Sequence, residues 1–159
     1  MTTKSPISSP LGQAEKEAVG AVLQSTLVDL VDLSLVAKQA HWNVVGKNFR
    51  SVHLQLDDLF DTARTYTDEV AERASALGVS PNGKARTVAE HSGILDFPEG
   101  WQDENTVIST IVSILAKLIE RLRERIDATD KPDLVTQDLL IEITKQFEQA
   151  HWMWQAQQA

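Results

Sequence analysis

The chain contains no cysteine, which excludes a disulfide scaffold, thiolate zinc sites and a cysteine nucleophile. Basic residues are scarce: 15 Lys and Arg stand against 23 Asp and Glu, a net charge of −8. Nucleic acid is held largely by Lys and Arg neutralising phosphates, so this balance argues against a DNA-coating surface. It fits an acidic surface that attracts cations, or one that is simply well solvated. No uninterrupted apolar run approaches the roughly 20 residues of a membrane span. The opening MTTKSPISSPLG lacks the apolar core of a signal peptide. Strand patterns, internal repeats and low-complexity tracts are missing too. The expectation is a cytoplasmic protein with no membrane partner.

At 159 residues and 42% hydrophobic, the chain fits one domain with a core large enough to need no staples. All five prolines lie outside the long periodic segments. Residues 1–12 read as a flexible arm rich in Ser, Thr and Pro, and 13–159 as the folded domain. A first helix is expected from Gln13 to Val45, with Val19, Leu23, Leu27 and Leu30 on one stripe and Gly46 ending it. A second, from Arg50 to Leu77, carries Val52, Leu56, Leu59, Ala63, Tyr66, Val70, Ala74 and Leu77. Residues 78–102 hold two prolines and four glycines, a long connection with a short helical turn near Thr87–His91. Two more helices follow, about Asp103–Ala128 and Asp133–Gln157, separated by Pro132. Four amphipathic helices with one long middle connection describe an all-α, ferritin-like four-helix bundle with a crossover.

Beside its apolar stripe the second helix carries another row: His53, Asp57, Asp61, Arg64, Asp68 and Glu72, spaced by threes and fours. Such a row is often a solvated boundary. This one contains His53/Asp57 and Asp68/Glu72, two i,i+4 pairs able to grip a metal ion. Imidazole with carboxylate suits iron, manganese or zinc. Asp57 and Asp68 are separated by roughly 16 Å along one helix, so they cannot share an ion within one chain. Two copies packed antiparallel about a two-fold axis would bring one chain's His53/Asp57 opposite the other's Asp68/Glu72. His41, near the end of the first helix, comes close to His53 if the two helices form a hairpin turning at Gly46.

The segment K-Q-A-H-W-N-V-V-G-x-N-F-x-x-V-H-x-x-L-D, followed by D-E-V-A-E-R-A-x-x-L-G, resembles the signature of Dps proteins, the mini-ferritins named for DNA protection in starved cells. The resemblance extends from about residue 18 to Trp152. It implies a dodecameric hollow shell and a ferroxidase centre at each two-fold interface. His41, His53 and Asp57 would come from one subunit, Asp68 and Glu72 from its neighbour. It places Trp42 as the aromatic residue beside the centre and Lys38 as a basic residue nearby. Asp133, Asp138 and Glu142 would line the three-fold pore by which ferrous iron enters, although Asp133 after Pro132 is also a natural N-cap. Iron (Fe2+/Fe3+) is the expected metal and hydrogen peroxide the expected oxidant. Trp42 and Tyr66 would stand as traps for stray one-electron oxidants, or as packing residues.

Three alternatives stand beside this reading. Ordinary ferritins use Glu-x-x-His on two helices of one bundle. This chain has Glu148-Gln-Ala-His151 alone, so both residues are expected to serve packing near Trp152 and Trp154. A Lewis-acidic metal at an open His/carboxylate site also suits an amide or ester hydrolase. A DNA-condensing role is disfavoured, since the arm carries only Lys4 and the chain ends W-Q-A-Q-Q-A.

Overall fold

The computed structural model describes residues 5–158. Lys4 and the start of the arm lie outside them. The elements are α1 (Gln13–Asn43), β1 (Val44–Val45), α2 (Phe49–Ala76), α3 (Ala85–His91), β2 (Gln102–Asp103), α4 (Glu104–Thr129) and α5 (Leu134–Gln155), then a 3-10 turn at Ala156–Gln158. The four long helices and the short helix in the connection stand where periodicity placed them, with ends displaced by one or two residues.

Local chemistry sets the helix ends. Asp103 caps α4, its carboxylate accepting from the Asn105 and Thr106 amides. Asp133 caps α5 in the same way, accepting from Val135 and Thr136. α2 closes with Gly78 at φ +71°. The Val79 amide donates to the Ala74 carbonyl and the Gly78 amide to that of Ser75, both at 2.9 Å. This is the paired closure that a left-handed residue makes possible, so a side chain at 78 would be strained. Gly78 also receives the arm: a Cβ there would stand 2.7 Å from the Ile7 carbonyl.

α1 and α2 form one hairpin, α4 and α5 the other. Their apolar stripes merge into a core in which Leu23, Leu56, Ile111, Phe147 and Trp154 have at most 1% of their surface exposed. The stripe of α2 departs from expectation at one point. Thr67 takes the buried slot, its hydroxyl bonded to the Ala63 carbonyl at 2.7 Å, and Tyr66 is half-buried. α1 is, by length and mean hydropathy, apolar enough to cross a membrane. This corrects the estimate from run length, because scattered polar residues do not lower the average enough. In the bundle, 56% of its most apolar window is buried.

A two-residue parallel ladder, Val44↔Gln102 and Val45↔Asp103, joins the α1–α2 turn to the start of α4. Strand periodicity cannot signal a pair this short. The ladder fixes the topology: α2 runs its 28 residues, roughly 42 Å at 1.5 Å each, away from it. The connection must therefore travel the length of the bundle to return. At its midpoint it is pinned. Asp29, fully buried in α1, accepts from the Gly93 amide at 2.8 Å, from Arg121 Nε at 3.1 Å and from Arg125 Nη2 at 2.6 Å. Gly93 allows this because a Cβ there would lie 2.2 Å from the Arg121 guanidinium carbon. Asp29→Ala should therefore destabilise the protein by about 3–5 kcal/mol in urea denaturation followed by circular dichroism, because two guanidinium groups lose their buried counter-ion. A loss under about 1 kcal/mol, the range of an exposed pair, would mean that water replaces the carboxylate.

Candidate metal centre

His41 sits in the last turn of α1 and His53 in the second turn of α2, brought face to face by the tight turn between them. Each imidazole bonds the other residue's backbone. His41 Nδ1 lies 2.9 Å from the His53 carbonyl, and His53 Nδ1 lies 2.9 Å from the His41 carbonyl. A carbonyl only accepts, so both Nδ1 atoms donate, and Nε2 is the atom that carries the lone pair in the neutral form of each ring. The rings stack with centroids 3.5 Å apart at 22°, so the two lone pairs are held side by side. This is the backbone support that orients metal-binding histidines.

Asp57, one turn beyond His53, completes a group of three whose ligand atoms lie within 4.8 Å of one another. Among the described residues it is the one such group. The Asp57 carboxylate accepts a hydrogen bond from Lys38 Nζ, and His41 Nδ1 lies 3.2 Å from the same oxygen. The Lys38 bond, aided by the adjacent histidines and opposed by burial, holds the Asp57 carboxyl below the usual carboxylate range. Lys38 also stands 4.8 Å over the Phe60 ring, a cation–π contact that keeps the ammonium beside Asp57. The His41 side chain is 10% exposed and that of Asp57 36%, so the group opens on the surface.

Asp68 and Glu72 are exposed on the same α2 row and take no part in the group within this chain. Trp42 is 64% exposed and packs beside the centre on no core of its own. It shares with Phe49, Trp101 and the two histidines an open depression of about 520 Å³. Trp101 escaped the sequence reading. An aromatic in a connection carries no periodic signal, and the short ladder places it here.

The other candidates divide. Glu148 pairs with Arg123, at 2.5 Å from Nη2. His151 Nε2 is buried without a partner, while Trp154 packs in the core and Trp152 is 61% exposed. Tyr66 is shifted upward by burial and by the nearby Glu142 and Glu69 carboxylates. Of the acidic series, Asp138 is exposed and Glu142 bonds Lys145 at 3.3 Å and Gln146 at 2.8 Å. Asp133 is 7% exposed and fully engaged, by the helix cap, by Thr136 Oγ1 and by Arg73 Nη2 at 2.6 Å. Within this chain, then, Asp133 is committed to its cap and to Arg73, whereas Asp138 and Glu142 lie on the solvent-facing side of α5.

A crossover bundle with a surface His/His/Asp group defines a class before it defines a member. The ferritin-like domain pattern matches residues 20–159. The DNA protection during starvation protein of Mycolicibacterium smegmatis is 37% identical over 154 residues, covering 91% of this chain and 80% of that protein. The Mycobacterium smegmatis Dps structure superposes with a TM-score of 0.91 at 32% identity, covering 99% of this chain and 94% of the other. Dps from Microbacterium arborescens in its high iron form gives 0.89 at 31% identity, covering 94% and 97%. The chain is a ferritin-like protein. Within that class it belongs to the Dps family.

Asp133 also generates a pH prediction. Burial raises its pKa, but the bonds from Thr136 and Arg73 outweigh burial, so the folded value is lowered. A lowered folded pKa means that the stabilisation is present above the unfolded value and is lost as pH falls through the folded one. In Arg73→Met the stability at neutral pH should be lower and its loss on acidification smaller, so that the mutant and wild-type curves converge at low pH, read from denaturation midpoints in a pH series. An acid loss equal to that of the wild type would show that Arg73 does not hold the Asp133 charge.

Proposed function

We propose that this protein is an iron-storage and detoxification mini-ferritin that oxidises Fe(II) at centres shared between two subunits. The observation that carries the reading is the incompleteness of the centre. His41, His53 and Asp57 converge on the surface, and Asp68 and Glu72 stand exposed further along the same helix face. A two-fold arrangement with α2 antiparallel completes each half-site with the neighbour's carboxylates and makes two sites at once.

The chemistry follows from the donor set. Two Nε2 lone pairs bind Fe(II), and hard carboxylate oxygens favour the Fe(III) product. Two ferrous ions give one electron each to hydrogen peroxide, which takes up two protons and leaves as two waters, so no hydroxyl radical is released. Lys38 holds the Asp57 carboxylate ionised and in position before iron arrives. The neighbour's surface, laid over Trp42, excludes bulk water from the reacting oxidant. Ferric product mineralises inside a closed homo-oligomeric shell of twelve subunits in the cytoplasm. The iron named for the high-iron form of the Microbacterium arborescens protein supports this reading, as does the acidic charge of −8.

Asp68→Asn alone should lower the initial rate of ferrous oxidation by tenfold or more, about the loss expected for disturbing a metal site's ligand shell, although His41, His53 and Asp57 are intact. Reassembling this variant with His53→Ala chains should recover part of the activity, since unlike pairs contain one fully wild-type site. No recovery in shells shown to be mixed would place each site within a single chain. Separately, Asp138→Asn should slow iron uptake into assembled shells while leaving oxidation by dissociated dimers unchanged. An unaltered uptake rate would remove Asp138 from the entry route.

A further inference from the structure

The chain has four asparagines, and only Asn82 precedes a glycine. Asn43, Asn48 and Asn105 are followed by Val, Phe and Thr, whose side chains shield the next backbone nitrogen. In the connection after α2, the Asn82 backbone is clamped to α1 from both sides. Its amide donates to Gln24 Oε1 at 2.9 Å, and its carbonyl accepts from Gln24 Nε2 at 2.8 Å. Its side-chain oxygen accepts from the Lys84 amide at 3.2 Å and from Thr87 Oγ1 at 3.1 Å. Gly83 is exposed, and even an added Cβ would meet nothing nearer than 4.0 Å. Its amide donates to no acceptor among the described residues.

We infer that Asn82 is a site of spontaneous deamidation in the folded protein, with its side-chain carbonyl activated by the two donors that hold its oxygen. The Gly83 nitrogen, losing its proton to a solvent base, attacks Asn82 Cγ. Negative charge develops on Oδ1, where Lys84 N–H and the Thr87 hydroxyl already point, the arrangement that stabilises an oxyanion. The side-chain nitrogen takes a proton from water and leaves as ammonia, closing a succinimide. Water then opens the ring at either carbonyl, giving aspartate or its β-linked isomer. Aspartate at 82 adds a carboxylate at the start of α3. The β-linked product routes the backbone through Cβ and Cγ, adding one atom between residues 82 and 83 and turning the carbonyl that accepts from Gln24 into a free carboxylate.

The test is peptide mapping of the intact protein aged in mildly alkaline buffer. Trypsin cuts after Arg73 and Lys84, releasing Ala74–Lys84, in which deamidation changes the mass and β-linkage the retention time. The same chain aged in urea supplies the rate without folded structure. Conversion of the native protein should match or exceed that of the unfolded chain. Native Thr87→Val should convert about tenfold more slowly, the rate equivalent of one hydrogen bond to the developing charge. Its unfolded rate should be unchanged, and Thr87→Ser should restore the native rate. Native conversion slower than unfolded, or equal native rates in wild type and Thr87→Val, would overturn the inference.

Discussion

A single carboxylate governs the architecture. Asp29 is buried in the most apolar helix of the protein, where an unpaired charge would cost several kcal/mol. Two arginines from α4 and the backbone amide of Gly93 answer it. Burial pulls the Arg125 guanidinium down from its ordinary value and Asp29 opposes this, so each ion is tolerated only because of the other. The arrangement joins the first hairpin to the second and holds the connection against both. A ferritin-like bundle has one long link to control, and here a charge pair in the core controls it.

That control bears on the metal centre. Beyond Gly93 the connection passes Asp96 and Phe97, which line an open depression with Lys38, Trp42 and Phe60. It then reaches Trp101 and the two-residue ladder that meets the turn between His41 and His53. Glu104 braces the same turn, its carboxylate accepting from the Asn48 amide at 2.7 Å. It also lies where a Cβ at Gly46 would intrude, at 2.7 Å. The histidines are thus supported by their own reciprocal backbone bonds and by an element about sixty residues away in sequence. A rigid imidazole pair loses little entropy on binding an ion, which is the value of organising ligands in advance.

The surface around the centre reads as an unfinished interior. Trp42, Phe49 and Trp101 are 46–74% exposed, a grouping unusual for a solvent-facing surface of a monomer. On the same helix, Asp68 and Glu72 lie too far along to reach the ligands of their own chain. In the proposed assembly a second copy related by a two-fold axis would resolve both features together, covering apolar area and supplying oxygen ligands without a new structural element.

Much of this was legible in the residues themselves. Helix positions followed from apolar spacing and from Gly46, Gly78 and Pro132, because periodicity and stop signals are local. The spacing of His53, Asp57, Asp68 and Glu72 established by itself that one chain could not close a site around all four, since helical rise is invariant. Other features were decided only in three dimensions. Tyr66 yielded its buried slot to Thr67, because a hydroxyl can bond its own helix and disappear. Asp133 was withdrawn from the acidic surface by Arg73, 60 residues earlier. Asp29 found Arg125 across 96 residues. Pairings of this kind depend on which helix faces which, and a stripe of apolar residues specifies that a face is buried without naming the partner that buries it.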